Sequence, residues 1–131
     1  MVRRLTGSAA LVALGLLFAA CASTSVPGSG VATPTPGSAS ACAVSNAPGE
    51  VQVEIRDFAF KPATISARVG QVIAFTNQDS APHDAGLVHG NCITSVLSKG
   101  QAGGLVFSAP GSYPFHCAIH PQMTGTIEVT D

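Results

Sequence analysis

The sequence predicts an all-β sandwich, preceded by an export signal and a flexible tether. Three observations carry this reading. Apolar residues alternate with polar ones in short runs, as in Val51, Val53 and Ile55 against Gln52, Glu54 and Arg56. Gly and Pro punctuate those runs at Lys61-Pro62, Gly70 and Pro110-Gly111. No stretch after residue 48 carries a helical period with caps at its ends. Short strands spaced in this way over residues 49–131 make a sandwich.

The elements follow in chain order. Arg3 and Arg4 form a basic start, and Leu11 to Ala20 is an unbroken run of small and apolar residues that ends at Cys21. The run falls short of the roughly 20 apolar residues of a spanning helix, so residues 1–20 read as a signal peptide. "LLFAAC" resembles the lipobox of bacterial lipoproteins, which makes Cys21 the lipidated first residue of the mature chain. The alternative is cleavage after Ala22, with Ala20-Cys21-Ala22 as the small-residue site. Residues 21–48 are Ala, Ser, Thr, Pro, Gly and Val with hardly an interruption, and read as a tether. The globular domain is expected over 49–131. Its strands are the alternating run at Val51, the segment ending at Gly70, "QVIAFTN", two strands flanking Pro110-Gly111, and "GTIEVT" at the end.

Charge and cysteine content narrow the function classes. Without Arg3 and Arg4, Arg56, Lys61, Arg68 and Lys99 stand against seven acidic residues. No basic cluster exists, which argues against a nucleic-acid partner. Cys42 and Cys92 are free to form a disulfide in an extracytoplasmic compartment. Two free thiols, or Cys92 as a metal ligand, are the other possibilities.

The most informative stretch is "YPFHCAIHPQM". A thiol, two imidazoles and a thioether fall between His116 and Met123. Cys117 and His120 are close enough for one tight loop to turn both inward, with Met123 three residues further on. Pro121 disfavours a helix there. His83 lies in the loop after "QVIAFTN". It is either a surface loop histidine or, if the sandwich brings that loop beside the final turn, the completion of a set of two imidazoles, one thiolate and one weak thioether. Those are the donors of a blue-copper electron-transfer centre, whereas zinc takes four firm ligands and gains nothing from a thioether.

"VGQVIAFTNQDSAPH" and "FSAPGSYPFHCAIHPQMTGTIEV" together resemble the cupredoxin family, most of all its amicyanin and plastocyanin types. The resemblance covers about residues 50–131. It implies a Greek-key sandwich of about eight strands with one copper at its end. It also implies His83, Cys117 and His120 as the strong ligands and Met123 as the long axial one, with Gln122 the rival axial donor. Tyr113 resembles the family's structural tyrosine. Two departures concern the surroundings of the metal. Asp84 replaces the family's usual Asn, and an ionised carboxylate there favours Cu(II). Ile119 replaces a frequent Pro and so keeps an amide that is expected to donate to the Cys117 sulfur, which raises the potential.

The expected function is one-electron transfer outside the cytoplasm between a donor and an acceptor protein. The carrier is expected to be a monomer held at a membrane through a lipidated Cys21 or free in the periplasm. In the resemblance, electrons leave by the His120 edge. Copper storage or delivery is the alternative; delivery sites are often Met- or His-rich, and this chain has two Met, one of them Met1, which argues for a fixed cofactor. An enzyme would use His116 beside Cys117 to reach a second copper. That centre needs more histidines than His89 and His116 supply, so no enzymatic activity is expected.

Overall fold

The structure, a computed structural model, describes residues 35–131. The signal peptide, Cys21 and the first part of the tether lie outside the described residues. A short 3-10 turn at Ala39–Ala41 precedes nine strands: β1 (Cys42–Ser45), β2 (Val51–Arg56), β3 (Ala59–Lys61), β4 (Thr64–Arg68), β5 (Val72–Asn77), β6 (Gly86–Leu87), β7 (Ala102–Phe107), β8 (Gly111–His116) and β9 (Thr124–Thr130). They form a five-stranded sheet in the order β1-β7-β5-β2-β3 and a four-stranded sheet in the order β4-β9-β8-β6. Two neighbouring pairs, β2 with β5 and β4 with β9, run parallel. Each therefore needs a connection that leaves its sheet and returns.

Alternation decides which side chains fill the space between the sheets. Val53 and Ile55 of β2, Ile65 and Ala67 of β4, and Ile127 and Val129 of β9 are buried, while their neighbours Glu54, Ser66 and Thr130 face outward. The central strand β5 is buried on both faces at Val72 to Phe75. Its outer face is covered where Gly49 approaches Ala74 so closely that a Cβ would sit 2.2 Å from the Ala74 Cβ. Two aromatic groups anchor the interior. Phe60, Phe75 and Phe115 meet at centroid distances of 4.6 to 5.9 Å, and Phe107 stacks on Tyr113 at 4.4 Å. The Tyr113 hydroxyl donates to the Ala109 carbonyl at 2.7 Å, closing the turn before β8.

The tether expectation needs correction at its end. The ordered chain begins well before residue 49. β1 pairs antiparallel with β7, Cys42 opposite Phe107 and Ser45 opposite Gly104. Ahead of it, the Gly37 amide donates to the Ser112 carbonyl and the Ser112 amide to the Thr35 carbonyl, both at 2.8 Å. Gly37 lies flat on the Tyr113 ring, where a Cβ would come within 2.2 Å. The physical reason is the open edge of β7, whose unpaired backbone groups accept a strand made of small residues as readily as one with a clear pattern. A disulfide joins Cys42 to Cys92, with Cα atoms 5.9 Å apart. It pins this edge strand to the loop between β6 and β7.

Candidate metal centre

The site gathers the end of β5, the loop after it and the β8–β9 connection. Asn77, the last residue of β5, is buried, and its Nδ2 donates to the Ala81 and Leu97 carbonyls, both at 2.8 Å. These bonds fold the loop so that His83 returns inward. Backbone bonds in both directions between His83 and Leu97, at 3.1 and 2.7 Å, then fix His83. The following residues are held the same way, with the Ala85 amide donating to Thr94 Oγ1 and the Thr94 amide to the Ala85 carbonyl.

On the other side, β8 ends at His116 and β9 starts at Thr124, leaving the seven residues Cys117 to Met123 to turn between them. The Cys117 amide donates to the Met123 carbonyl at 3.0 Å, and the Met123 amide to the His120 carbonyl at 2.9 Å. Pro121, at the tip, has no amide of its own to satisfy. The loop is therefore closed on itself, with Cys117 and Met123 buried and His120 half-buried.

Within this frame three donor atoms converge. His83 Nδ1 and His120 Nδ1 are 3.1 Å apart, and Cys117 Sγ lies 3.8 Å from each. Cys117 is a free thiol, and both it and His83 have no exposed surface. The centre of that triangle is about 2.1 Å from each corner, within the ~2.0–2.3 Å range of metal–nitrogen and metal–sulfur bonds. The donor set therefore fits one transition-metal ion. Among the described residues, these are the residues grouped closely enough to hold a metal. Met123 is buried within the same core, 2 % exposed. Gln122 is exposed.

Asp84 and Ile119 behave differently from one another. Asp84 is buried, and its Oδ1 accepts the Ala118 amide at 2.6 Å, tying the His83 loop to the Cys117 loop. The hydrogen bond to the Cys117 sulfur comes from the Asp84 amide, at 3.5 Å. The Ile119 amide does not donate to the sulfur, which corrects the expectation for that residue. The cause is register: Asp84 is drawn across the sulfur by its own bond to Ala118, while Ile119 sits on the outer arc, 40 % exposed. His89 is exposed, His116 is half-buried, and neither joins the cluster. Cys92, once a possible ligand, is in the disulfide.

Sequence reasoning missed Asp79 and Phe58. Asp57 and Phe58 form the two-residue turn between β2 and β3, both at positive φ, 56° and 55°. Such a turn normally calls for Asn and Gly, so "DF" gives no turn signal. Asp79 accepts both of their amides and also faces His83 Nε2 at 3.0 Å. The amide bonds, Phe58's foremost, hold the Asp79 carboxyl below its usual range despite its partial burial. The Phe58 ring makes T-shaped contacts with the His83 and His120 rings, at 5.2 and 5.0 Å.

Comparison with known proteins agrees with this geometry. The family model described as a cupredoxin-like domain matches residues 10–129. Amicyanin of Paracoccus denitrificans is 30% identical over 88 residues, covering 63% of this chain and 67% of that protein. Among solved structures, the Cu(I) form of a methionine-to-alanine variant of amicyanin matches with a TM-score of 0.58 at 27% identity, over 76% of this chain and 95% of its own. A copper-containing nitrite reductase from Thermus scotoductus matches at 31% identity and a TM-score of 0.58, over 65% of this chain but 23% of its own length.

Proposed function

Because the chain belongs to the cupredoxin-like family, we propose that it is a type 1 copper protein that carries single electrons between protein partners outside the cytoplasm. His83, Cys117 and His120 would be the strong ligands, and Met123 would add a weak thioether donor. One observation carries the reading: two imidazole nitrogens and a buried free thiol meet in a triangle sized for one metal ion. Thiolate and thioether suit Cu(I), and imidazole suits both oxidation states. When bound, the copper supplies a one-electron couple between Cu(II) and Cu(I).

The chain's own residues do the rest. Backbone bonds hold His83 and Cys117 through atoms other than their donor atoms, which limits rearrangement when the charge changes. The Asp84 amide bonds the thiolate sulfur and favours the electron-rich state there. His120, half-buried where its partner imidazole is fully enclosed, gives the closest approach from solvent. Ala81, Pro82, Ile119 and Pro121, none of them buried, would supply an apolar docking rim beside it. We assign no enzymatic role. The Cys42–Cys92 disulfide suits an exported protein, and the export signal with Cys21 would place the domain on a tether at a membrane face. No helix among the described residues is long and apolar enough to cross a membrane.

The test is the visible and EPR spectrum of the Cu(II)-loaded chain, beside Cys117→Ala. An intense blue absorption with small copper hyperfine splitting, lost on substitution, is the expected result. A pale adduct indifferent to Cys117 would sink the proposal. Reversible redox cycling without loss of copper separates a carrier from a storage or delivery protein, which would release the ion.

A further inference from the structure

Asp79 sits where three parts of the fold meet. Its Oδ1 accepts the Asp57 amide at 2.8 Å, and its Oδ2 accepts the Phe58 amide at 2.9 Å and faces His83 Nε2 at 3.0 Å. The Asp79 amide is itself held by Asn77 Oδ1 at 2.8 Å, on the side chain that shapes the His83 loop. The carboxylate is 13% exposed and is not free to swing.

Two consequences follow from elementary chemistry. A neutral imidazole has one N–H, and an ionised carboxylate can only accept. Facing Asp79, His83 therefore carries its proton on Nε2, which leaves the Nδ1 lone pair aimed at Cys117 and His120. The second consequence concerns the turn. Two consecutive non-glycine residues at positive φ are sterically disfavoured, and the paired amide bonds to Asp79 offset that cost. They keep the turn in the one shape that lays Phe58 across both imidazoles.

We propose that Asp79 is a positioning residue of the metal centre: it fixes His83 in the Nε2–H tautomer and, through the Asp57-Phe58 turn, holds an aromatic ring against both ligand imidazoles. The proposal rests on the copper-site reading above. Neither the ligand set nor the family resemblance assigns this role, because Asp79 acts from outside the set. An anionic partner also makes His83 a stronger donor and so favours Cu(II) over Cu(I). Asparagine has the same shape but cannot replace the carboxylate. Its amide group would face either the Asp57 amide or the pair formed by Phe58 and His83, donor against donor.

The experiment uses the full chain with Asp79→Asn and Asp79→Ala. In the metal-free wild type, imidazole 15N NMR reads the His83 tautomer directly and needs no variant. A single Nε2–H form is expected, and an Nδ1–H form would overturn the proposal. In both variants the His83 tautomers should mix, and copper affinity by competition with a chelator should fall by about 10–100-fold. The reduction potential should rise. If Cu(II) affinity falls tenfold more than Cu(I) affinity, the rise is about 59 mV for a one-electron couple. An Asp79→Asn protein with wild-type tautomer, affinity and potential would leave Asp79 a brace of the Asp57-Phe58 turn with no part in the metal centre. Failure of the copper reading is separable, because a wild-type chain that is not blue condemns that reading while the metal-free NMR result still judges Asp79.

Discussion

At the scale of single residues, chemistry was legible where it depends on residue type and hidden where it depends on neighbours far along the chain. Cys117, His120 and Met123 announce themselves by spacing within one loop. His83 is a lone loop histidine until the fold brings it to the others; it was nominated in advance as the second imidazole of a donor set, and the family resemblance strengthened that choice. Asp79 was invisible, since an aspartate in "NQDSAP" is an ordinary turn residue and its partners Asp57 and Phe58 lie more than twenty positions upstream. The donor to the Cys117 sulfur was misplaced for the same reason: Ile119 is adjacent in sequence, but Asp84 is adjacent in space. Tyr113 gives a prediction at this scale. Burial raises its phenol above the ordinary 10.0. Above about pH 10 the unfolded chain loses that proton first and binds fewer protons than the folded chain, so stability falls as pH rises. Tyr113→Phe should remove this part of the alkaline decline. It should also lower stability at neutral pH by about 1 kcal/mol through the lost bond to Ala109, and urea unfolding at pH 7 and 10.5 measures both effects. An unchanged pH slope would count against the assignment.

At the scale of elements, β2, β5, β7, β8 and β9 were readable because each carries either period-two burial or a dense β-branched and aromatic run. β1 was not. "CAVS" has neither charge nor alternation, its residues are half-buried or exposed, and what recruits it is the unpaired edge of β7. β6 was also missed, being two residues long and defined by its pairing with β8. The disulfide links β1 to Cys92, in the loop that follows β6, across a separation of 50 residues. Removing it with Cys42→Ser and Cys92→Ser together should cost about 2–4 kcal/mol of stability by denaturant unfolding. Amide hydrogen exchange should show β1 losing protection first while β5 and β8 keep theirs. Uniform loss across both sheets would mean that the bridge supports the whole sandwich rather than its edge.

For the molecule as a whole, the fold is one interior shared by two sheets, and the metal centre lies at one end of it. The backbone bonds around His83 and Cys117 run between backbone groups and use none of the donor atoms. Copper should therefore add stability without creating the fold. At free copper a thousandfold above the dissociation constant, the gain is about 4.1 kcal/mol. Stripping the ion should lower the melting temperature and leave the far-ultraviolet β-sheet signal intact, and collapse of that signal in the metal-free chain would refute this view. The parallel pairings of β2 with β5 and β4 with β9 have a further consequence for biosynthesis. The ribosome delivers His83 with the first half of the sandwich, but Cys117, His120 and Met123 emerge only with the final strand. β4 must wait for β9 before its own ladder can close. A nascent domain thus lacks the complete donor set until its last strand is made, and the choice of metal falls to the finished chain.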